Sequence, residues 1–304
     1  MKVAVVGTGR MGSAMARSLA RGGTDLVLHN RTPDRARSLA DELGATVAAT
    51  PAETASAVDV VITMLANQEA VEETWGGQDG LLSGARRGAV LVDMSTVPPA
   101  VIQHFANRAA AAGVGILDAP VSGSVPLAET GKLTVMVGGS ADDVERARPV
   151  LEQLAASVHH IGPLGSGAAL KLAVNTLIFG LNQAVSEALV LAERAGISRE
   201  TAYDVFAAGA AGAPYVGYKR AAFLDPDGTP VAFALDLADK DLRLILELAD
   251  HLGAPMPQTR VNRDLIIAAS SRFGPSRDAS LVASHLRTMA AERAAPPKPQ
   301  PSPE

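Results

Sequence analysis

An α/β domain with a doubly wound sheet, then an all-α domain, the two joined by one long helix, is the fold class the sequence predicts. Three observations carry it. Short β-branched runs alternate with helical patterns from residue 2 to residue 161. Beyond residue 198 only helical patterns remain. Between them, after the turn G-P-L-G-S-G at 162–167, the chain is rich in Ala and Leu and nearly free of breakers as far as residue 195. At ~3.6 residues per turn that is a helix of roughly seven to eight turns. The expected limits are 1–162 for the α/β domain, 163–195 for the joining helix, 196–292 for the helical domain and 293–304 for a disordered Pro-rich tail.

The chain of 304 residues is long enough for two domains with real cores. A net charge of -5 argues against a nucleic-acid partner. The absence of cysteine excludes disulfides and thiolate chemistry and fits a reducing compartment. No basic segment, apolar core and cleavage site follow one another at the start, so no signal peptide is expected. The most apolar run, 172–181, is interrupted by Asn175 and flanked by Lys171, Asn182 and Gln183, so no membrane partner is expected and the cytoplasm is the expected location. Aromatic residues make up 3%, too few for a stacking platform.

Residues 2–6, K-V-A-V-V, read as a strand running into Gly7, Thr8, Gly9, Arg10, Met11 and Gly12, after which Met15 and Leu19 begin a helical pattern. Strand, G-x-G-x-x-G and helix in that order mark a Rossmann-type dinucleotide site. The first glycine makes the tight turn, the second admits a pyrophosphate close to the backbone, and the third lets helix and strand pack. The next strand, 25–29, ends in Asn30-Arg31-Thr32. NAD-selective domains carry a carboxylate about 20 residues past the glycines; here none repels a phosphate, and Arg31 can pair with one while Asn30 and Thr32 donate hydrogen bonds. NADP(H) is therefore the expected cofactor and NAD(H) the alternative.

Strands at 59–65 and 89–94 end in Ala66-Asn67 and Ser95-Thr96. Ligands in open parallel sheets bind beyond such ends, which assigns Leu65, Ala66, Asn67 and Thr96 to the cofactor's nicotinamide half; ordinary loops and a helix cap before Pro98-Pro99 are the plain alternative. Strands follow at 115–118, 133–137 and 158–161, with a helix at 141–154. Pro120 and Gly123 mark D-A-P-V-S-G-S, 118–124, as a loop in which Ser122 and the backbone N–H groups after it form a small anion nest. On the long helix Lys171 and Asn175 are four residues apart and share a face; simple solvation is the alternative to a functional role.

Taken together, G-T-G-R-M-G at 7–12, D-M-S-T at 93–96, D-A-P-V-S-G at 118–123 followed by A-E-T-G-K-L-T-V-M-V-G-G, the G-x-x-G-S-G-x-x-x-K-x-x-x-N run from 162, and K-D-L at 240–242 resemble the β-hydroxyacid dehydrogenases. The resemblance spans about residues 1–290. It implies Lys171 as catalytic acid/base, Asn175 holding the substrate and orienting the lysine, Ser122 with the Gly123 and Ser124 backbone binding a substrate carboxylate, and Thr96 and Lys240 against the cofactor. It also implies a homodimer or homotetramer. Many members have a second glycine where this chain has Ser124; that variant, with N-R-T, is more similar to the glyoxylate/succinic semialdehyde reductases. The substrate expected is a small carboxylate-bearing aldehyde or keto acid, interconverted with its hydroxy acid.

Helices are expected at 199–208, 214–223, 232–252, 257–272 and 279–292, with Tyr215, Tyr218 and Phe233 as candidate pocket-wall residues that core packing would equally explain. The six histidines (His29, His104, His159, His160, His251 and His285) show no metal spacing, and no metal is expected. No H-E-x-x-H, P-loop or G-x-S-x-G occurs. Two other readings remain at this point: an imine reductase, whose members usually lack the lysine and the D-A-P-V-S-G loop, and a non-catalytic NADP-binding module, which would have lost Lys171 or Asn175.

Overall fold

The computed structural model describes residues 1–294 and divides into two compact units, Met1–Val174 and a second that begins at Asn175. The tail expected at 293–304 lies, from residue 295 on, outside the described residues.

The first unit opens with β1 (Lys2–Val6), α1 (Arg10–Arg21), β2 (Asp25–His29) and α2 (Pro33–Leu43). Pro33 starts α2 with its φ already helical, and Gly44 ends it in the left-handed conformation at φ 66°. There follow β3 (Thr46–Val47), α3 (Pro51–Ser56), β4 (Val60–Thr63), α4 (Gln68–Gly76), α5 (Leu81–Gly84), β5 (Val90–Asp93), α6 (Pro99–Gln103), α7 (Ala106–Ala112) and β6 (Gly115–Asp118). The unit continues with β7 (Val121–Ser122), α8 (Val125–Glu129), β8 (Leu133–Gly138), α9 (Ala141–Leu154), β9 (Ala155–Gly162) and the start of α10 (Ser166–Arg194).

The strands form one sheet in the order β3-β2-β1-β4-β5-β6-β8-β7, with β9 on β8. From β3 to β6 all pairs are parallel. Alternation along the strands splits the core in two. Val3 and Val5 face Met15 and Leu19 of α1, Leu39 of α2 and Val144 and Leu151 of α9. Ala4 and Val6 face Val71 and Trp75 of α4, Leu81 of α5 and Ile102 of α6. Helices on both faces of the sheet make the unit doubly wound.

Among the boundaries that differ from those expected, such as the start of α10 at Ser166 instead of 163, three have a clear physical cause. The 118–124 loop contains two residues of strand, Val121 and Ser122, antiparallel to Val135 and Thr134; a run that short leaves no periodic trace. The last strand starts at Ala155, directly after α9, and pairs with β8 through register shifts that blur its alternation. The helix expected from 232 starts at Leu235, because residues 232–234 are held elsewhere: the Ala232 and Phe233 N–H groups donate to Asp278, and Ala234 bridges to Asp278.

The second unit holds the rest of α10, then α11 (Arg199–Ala208), α12 (Pro214–Leu224), α13 (Leu235–Leu252), α14 (Pro257–Phe273) and α15 (Leu281–Ala294). Val185 and Leu189 of α10 pack with Tyr203, Tyr215, Val216, Phe223 and Ala283. Tyr215 is core, its hydroxyl donating to Asn182 Oδ1 at 2.8 Å; Tyr218 meets its ring edge-on, and Phe233 packs on Phe179. By length and composition α10 could cross a membrane, its most apolar window averaging a hydropathy of 1.3. Its apolar run is nevertheless interrupted by Asn175, Asn182 and Gln183. Asn182, Gln183 and Ser186 are buried with hydrogen-bond partners inside the helical unit, as in a core helix.

Candidate active site

The glycine turn is closed at its first and third glycines. Gly7 has φ 95°, and a Cβ there would strike the Met64 carbonyl oxygen; one at Gly12 would strike the carbonyl oxygen of Gly7. A Cβ at Gly9 would meet nothing within 4 Å, so the backbone is open where a pyrophosphate must approach. Arg10 opens α1, exposed, and Met11 beside it is partly buried. Thr8 is 5% exposed, and its Oγ1 has no hydrogen-bond partner among the described residues, an orphaned polar atom at the place a ligand would satisfy.

A cavity of about 280 Å³ is lined by Gly7, Gly9, Asn30, Arg31, Thr32 and Arg35 on one side and Leu65, Ala66 and Asn67 on the other. Leu65, Ala66 and Asn67 share this lining with Asn30, Arg31 and Thr32. Two side chains in this cavity already brace the protein. Asn30 Oδ1 accepts from the Thr8 N–H at 3.1 Å and its Nδ2 donates to the Thr32 carbonyl oxygen, tying β2 to the glycine turn. Asn67 caps α4, accepting from the Ala70 N–H. The guanidiniums of Arg31 and Arg35 remain as the cationic pair at this end. Arg35 lies in the first turn of the helix that starts at Pro33, just beyond the strand end that carries Arg31.

Beyond β4 and β5 lies a buried chain of hydrogen bonds. Trp75 Nε1 donates to Thr63 Oγ1 at 3.2 Å, Thr63 Oγ1 to Asp93 Oδ1 at 2.6 Å, Ser95 Oγ to the same oxygen at 2.8 Å, and the Leu65 N–H to Ser95 Oγ at 2.9 Å. This fixes the 65–67 loop against the end of β5, just before half-buried Thr96. Burial pushes the Asp93 carboxyl up to about 6, against the hydroxyls that bind it; the neighbouring Asp118 adds to the rise. Asp93 and Asp118 are register partners on β5 and β6.

Ser122 is half-buried at the end of β7, and Gly123 follows with φ 142°, where a Cβ would come 2.7 Å from Leu133. Lys171 is half-buried in the second turn of α10. Asn175, one turn on, is 5% exposed, and its Nδ2 donates to Asp241 Oδ2 at 2.8 Å. Lys240 Nζ lies 3.0 Å from the other oxygen of Asp241, an ionic contact rather than an aligned hydrogen bond. The structure thus joins Asn175 to Lys240 through Asp241, a residue the sequence reading passed over inside K-D-L.

Residues 2–162 match the model of the NAD binding domain of 6-phosphogluconate dehydrogenase, and 165–286 that of the NAD-binding region of NADP-dependent 3-hydroxyisobutyrate dehydrogenase. The 3-sulfolactaldehyde reductase of Escherichia coli is 33% identical over 95% of this chain and 96% of its own. The chain belongs to the 3-hydroxyisobutyrate dehydrogenase-like family. Within that family, the 2-(hydroxymethyl)glutarate dehydrogenase of Eubacterium barkeri is 34% identical over 85% of this chain and 86% of its own. The crystal structure of a 3-hydroxyisobutyrate dehydrogenase from Salmonella typhimurium superposes with a TM-score of 0.85 at 31% identity, covering 94% of this chain and 99% of that one. An imine reductase from Pseudomonas, at 22% identity and a TM-score of 0.62, shares the fold alone.

As a family member the protein is an oxidoreductase of the β-hydroxyacid dehydrogenase type, and its N-terminal unit binds NAD(P). The open Gly9 backbone, the orphaned Thr8 hydroxyl and the two arginines fit that cofactor. No cluster of three or more potential metal-binding side chains occurs among the described residues.

Proposed function

We propose that the protein interconverts a small carboxylate-bearing aldehyde, or keto acid, and its hydroxy acid, with NADP(H) preferred over NAD(H) and Lys171 as general acid/base. The observation that carries this reading is the α10 face. Asn175, which simple solvation would leave in water, is buried and held by Asp241, one turn from Lys171.

The bound nicotinamide supplies hydride to the carbonyl carbon. The remaining steps belong to this chain. Lys171 as an ammonium donates a proton to the carbonyl oxygen as negative charge grows there, and regains one from solvent; in the oxidative direction the neutral amine takes the hydroxyl proton. Asn175 holds the reacting oxygen and orients the lysine. Ser122 and the Gly123 and Ser124 N–H groups would bind the substrate carboxylate, and Thr96 and Lys240 are the residues assigned to the cofactor. Hydroxy-acid and aldehyde enzymes among the relatives support this class of substrate.

Arg31 and Arg35, which line the same cavity, would pair with the 2′-phosphate. Rates with glyoxylate, succinic semialdehyde and 3-hydroxyisobutyrate, each with NADPH and NADH in the matching direction, test the reading. Turnover of one of them, faster with NADPH, is the expected result, and a clear NADH preference rejects the cofactor half. The protein acts in the cytoplasm as a homodimer or homotetramer, for which Leu177, Leu191 and Val205, 64–73% exposed, offer apolar surface. Light scattering that returns a monomer would overturn that assembly.

A further inference from the structure

The aspartate that opens D-A-P-V-S-G does not point into the loop it introduces. Asp118, 1% exposed at the end of β6, turns both carboxylate oxygens to the start of α10. Its Oδ1 accepts from the Gly165 N–H at 2.6 Å and its Oδ2 from the Ala168 N–H at 2.6 Å, with the Gly167 N–H as a further donor. Two glycines make room for it. A Cβ at Gly138, the register partner of Asp118 on β8, would strike Oδ1, and one at Gly167 would sit 2.7 Å from the Asp118 carbonyl oxygen.

We propose that Asp118 is the positioning residue for Lys171, fixing the rotation and height of the first turn of α10. The proposal rests on Lys171 being the proton donor and acceptor. The first N–H groups of a helix have no partner within it, and here one buried carboxylate takes those at both sides of the first turn. A grip at 165 and 168 resists rotation about the axis in a way that a single cap does not. Lys171 follows Ala168 by three residues, so it moves with that turn. With a backbone radius of about 2.3 Å and a lysine reach of about 6 Å, a rotation of ~10° would shift its Nζ by ~1.5 Å. A misplacement of about 1 Å at a reacting group can cost ~100-fold in rate.

The same residue sits four positions before Ser122. The carboxylate-binding loop and the lysine helix therefore share one anchor. A serine or asparagine would cap the helix with less desolvation, but neither offers two equivalent acceptors. Burial pushes the Asp118 carboxyl up, opposed by the N–H donors, so a charge kept here has a cost that a cap alone does not require.

The test is Asp118→Asn, alone and combined with Lys171→Ala, in the full-length protein below its melting temperature. The expected result is a kcat lower by ~10-fold or more with NADPH affinity within about two-fold of wild type. Amide exchange at 165–171 should be faster in the cofactor-free protein. The double variant should be no slower than Lys171→Ala alone within about two-fold, since a residue that acts through Lys171 has nothing left to position. An unchanged kcat, or losses that multiply in the double variant, overturns the proposal while leaving the role of Lys171 intact. Lys171→Ala with near-normal turnover overturns both. Gly165→Ala disturbs the same contact from the helix side, since its Cβ would strike Gln103 Nε2 at a residue with φ 95°. If Asp118→Asn does not fold, the same pattern is required of that variant, and normal kcat in it rejects the proposal.

Discussion

Asp118 in the N-terminal unit and Asp278 in the helical unit are buried to 1% and 2% exposure, yet they are held by different means. Asp118 is held by backbone N–H groups at a helix start. Asp278 takes the Ala232, Phe233 and Ser280 N–H groups and, in addition, the buried ammonium of Lys219 at 2.6 Å. Burial opposes the charge on Asp278, but that ammonium and the N–H donors hold its carboxyl below the usual carboxylate range. The contrast extends to the two units as wholes. The N-terminal unit builds its site on glycines, strand ends and main-chain donors. The helical unit is pinned by paired side chains far apart in sequence, such as Lys219 with Asp278 and Glu193 with Arg287.

If paired charge is what holds the helical unit, Lys219→Met should give the largest loss of stability. It keeps the volume but leaves Asp278 buried without its cation, a change that typically costs about 3–5 kcal/mol. On that scale the melting temperature should fall by roughly 10 °C. A shift of only a degree or two in calorimetry would show that the N–H donors suffice and would erase the contrast. Lys171→Ala probes the opposite side. Its kcat should fall by ~100-fold or more while cofactor affinity and melting temperature hardly move. Near-normal turnover would refute the assignment, and a collapse in stability would mean that Lys171 is structural, as Lys219 is.

This difference also decides what could be read from the residues. G-x-G-x-x-G, N-R-T and D-A-P-V-S-G are local because backbone chemistry is local, so Gly7, Gly9 and Asn30–Thr32, which line one cavity, can be named from the residues alone. So can the alternating half, the helical half and the long helix between them. The partner of Asn175 is Asp241, 66 residues away, and no spacing rule announces it. Asp118 was visible as a motif letter, but its attachment to Gly165 and Ala168 depends on strand order. Asn30 and Asn67 line the cavity and also brace the turn and cap α4, a second role that a motif letter does not announce, because a short amide satisfies a nearby N–H.

A smaller effect is expected at the cofactor end. Arg31→Ala combined with Arg35→Ala removes the two guanidiniums that line the cavity. A charge-assisted hydrogen bond contributes about 1.5–3 kcal/mol, so kcat/KM with NADPH should fall ~10-fold or more. The value with NADH should stay within about two-fold, and the fold should be unaffected at two exposed positions. Equal losses with both cofactors would place the arginines on the shared pyrophosphate or adenine and remove the basis for NADP(H) preference.

The smallest effect separates the two kinds of buried carboxylate by sign. No cation among the described residues contributes to the shift of Asp93, whose carboxyl is raised from 3.8 to about 6. The folded state therefore binds a proton that the unfolded state has already released between those values. The stabilisation is complete below about pH 4 and is lost as pH rises through about 6. At 1.36 kcal/mol per pH unit, with titration nearly complete by pH 7, about 1 kcal/mol of stability should disappear between pH 5 and pH 7. Asp278, held low, contributes in the opposite sense: its stabilisation is present above the ordinary carboxylate range and is lost as pH falls below it. Asp93→Asn keeps an acceptor for Thr63 and Ser95 and removes the titration. Urea unfolding of wild type and variant at pH 5 and pH 7 reads the difference directly. A wild-type slope that persists in Asp93→Asn would transfer it to another group and show that Asp93 does not titrate between pH 5 and pH 7, which removes the difference in sign from Asp278.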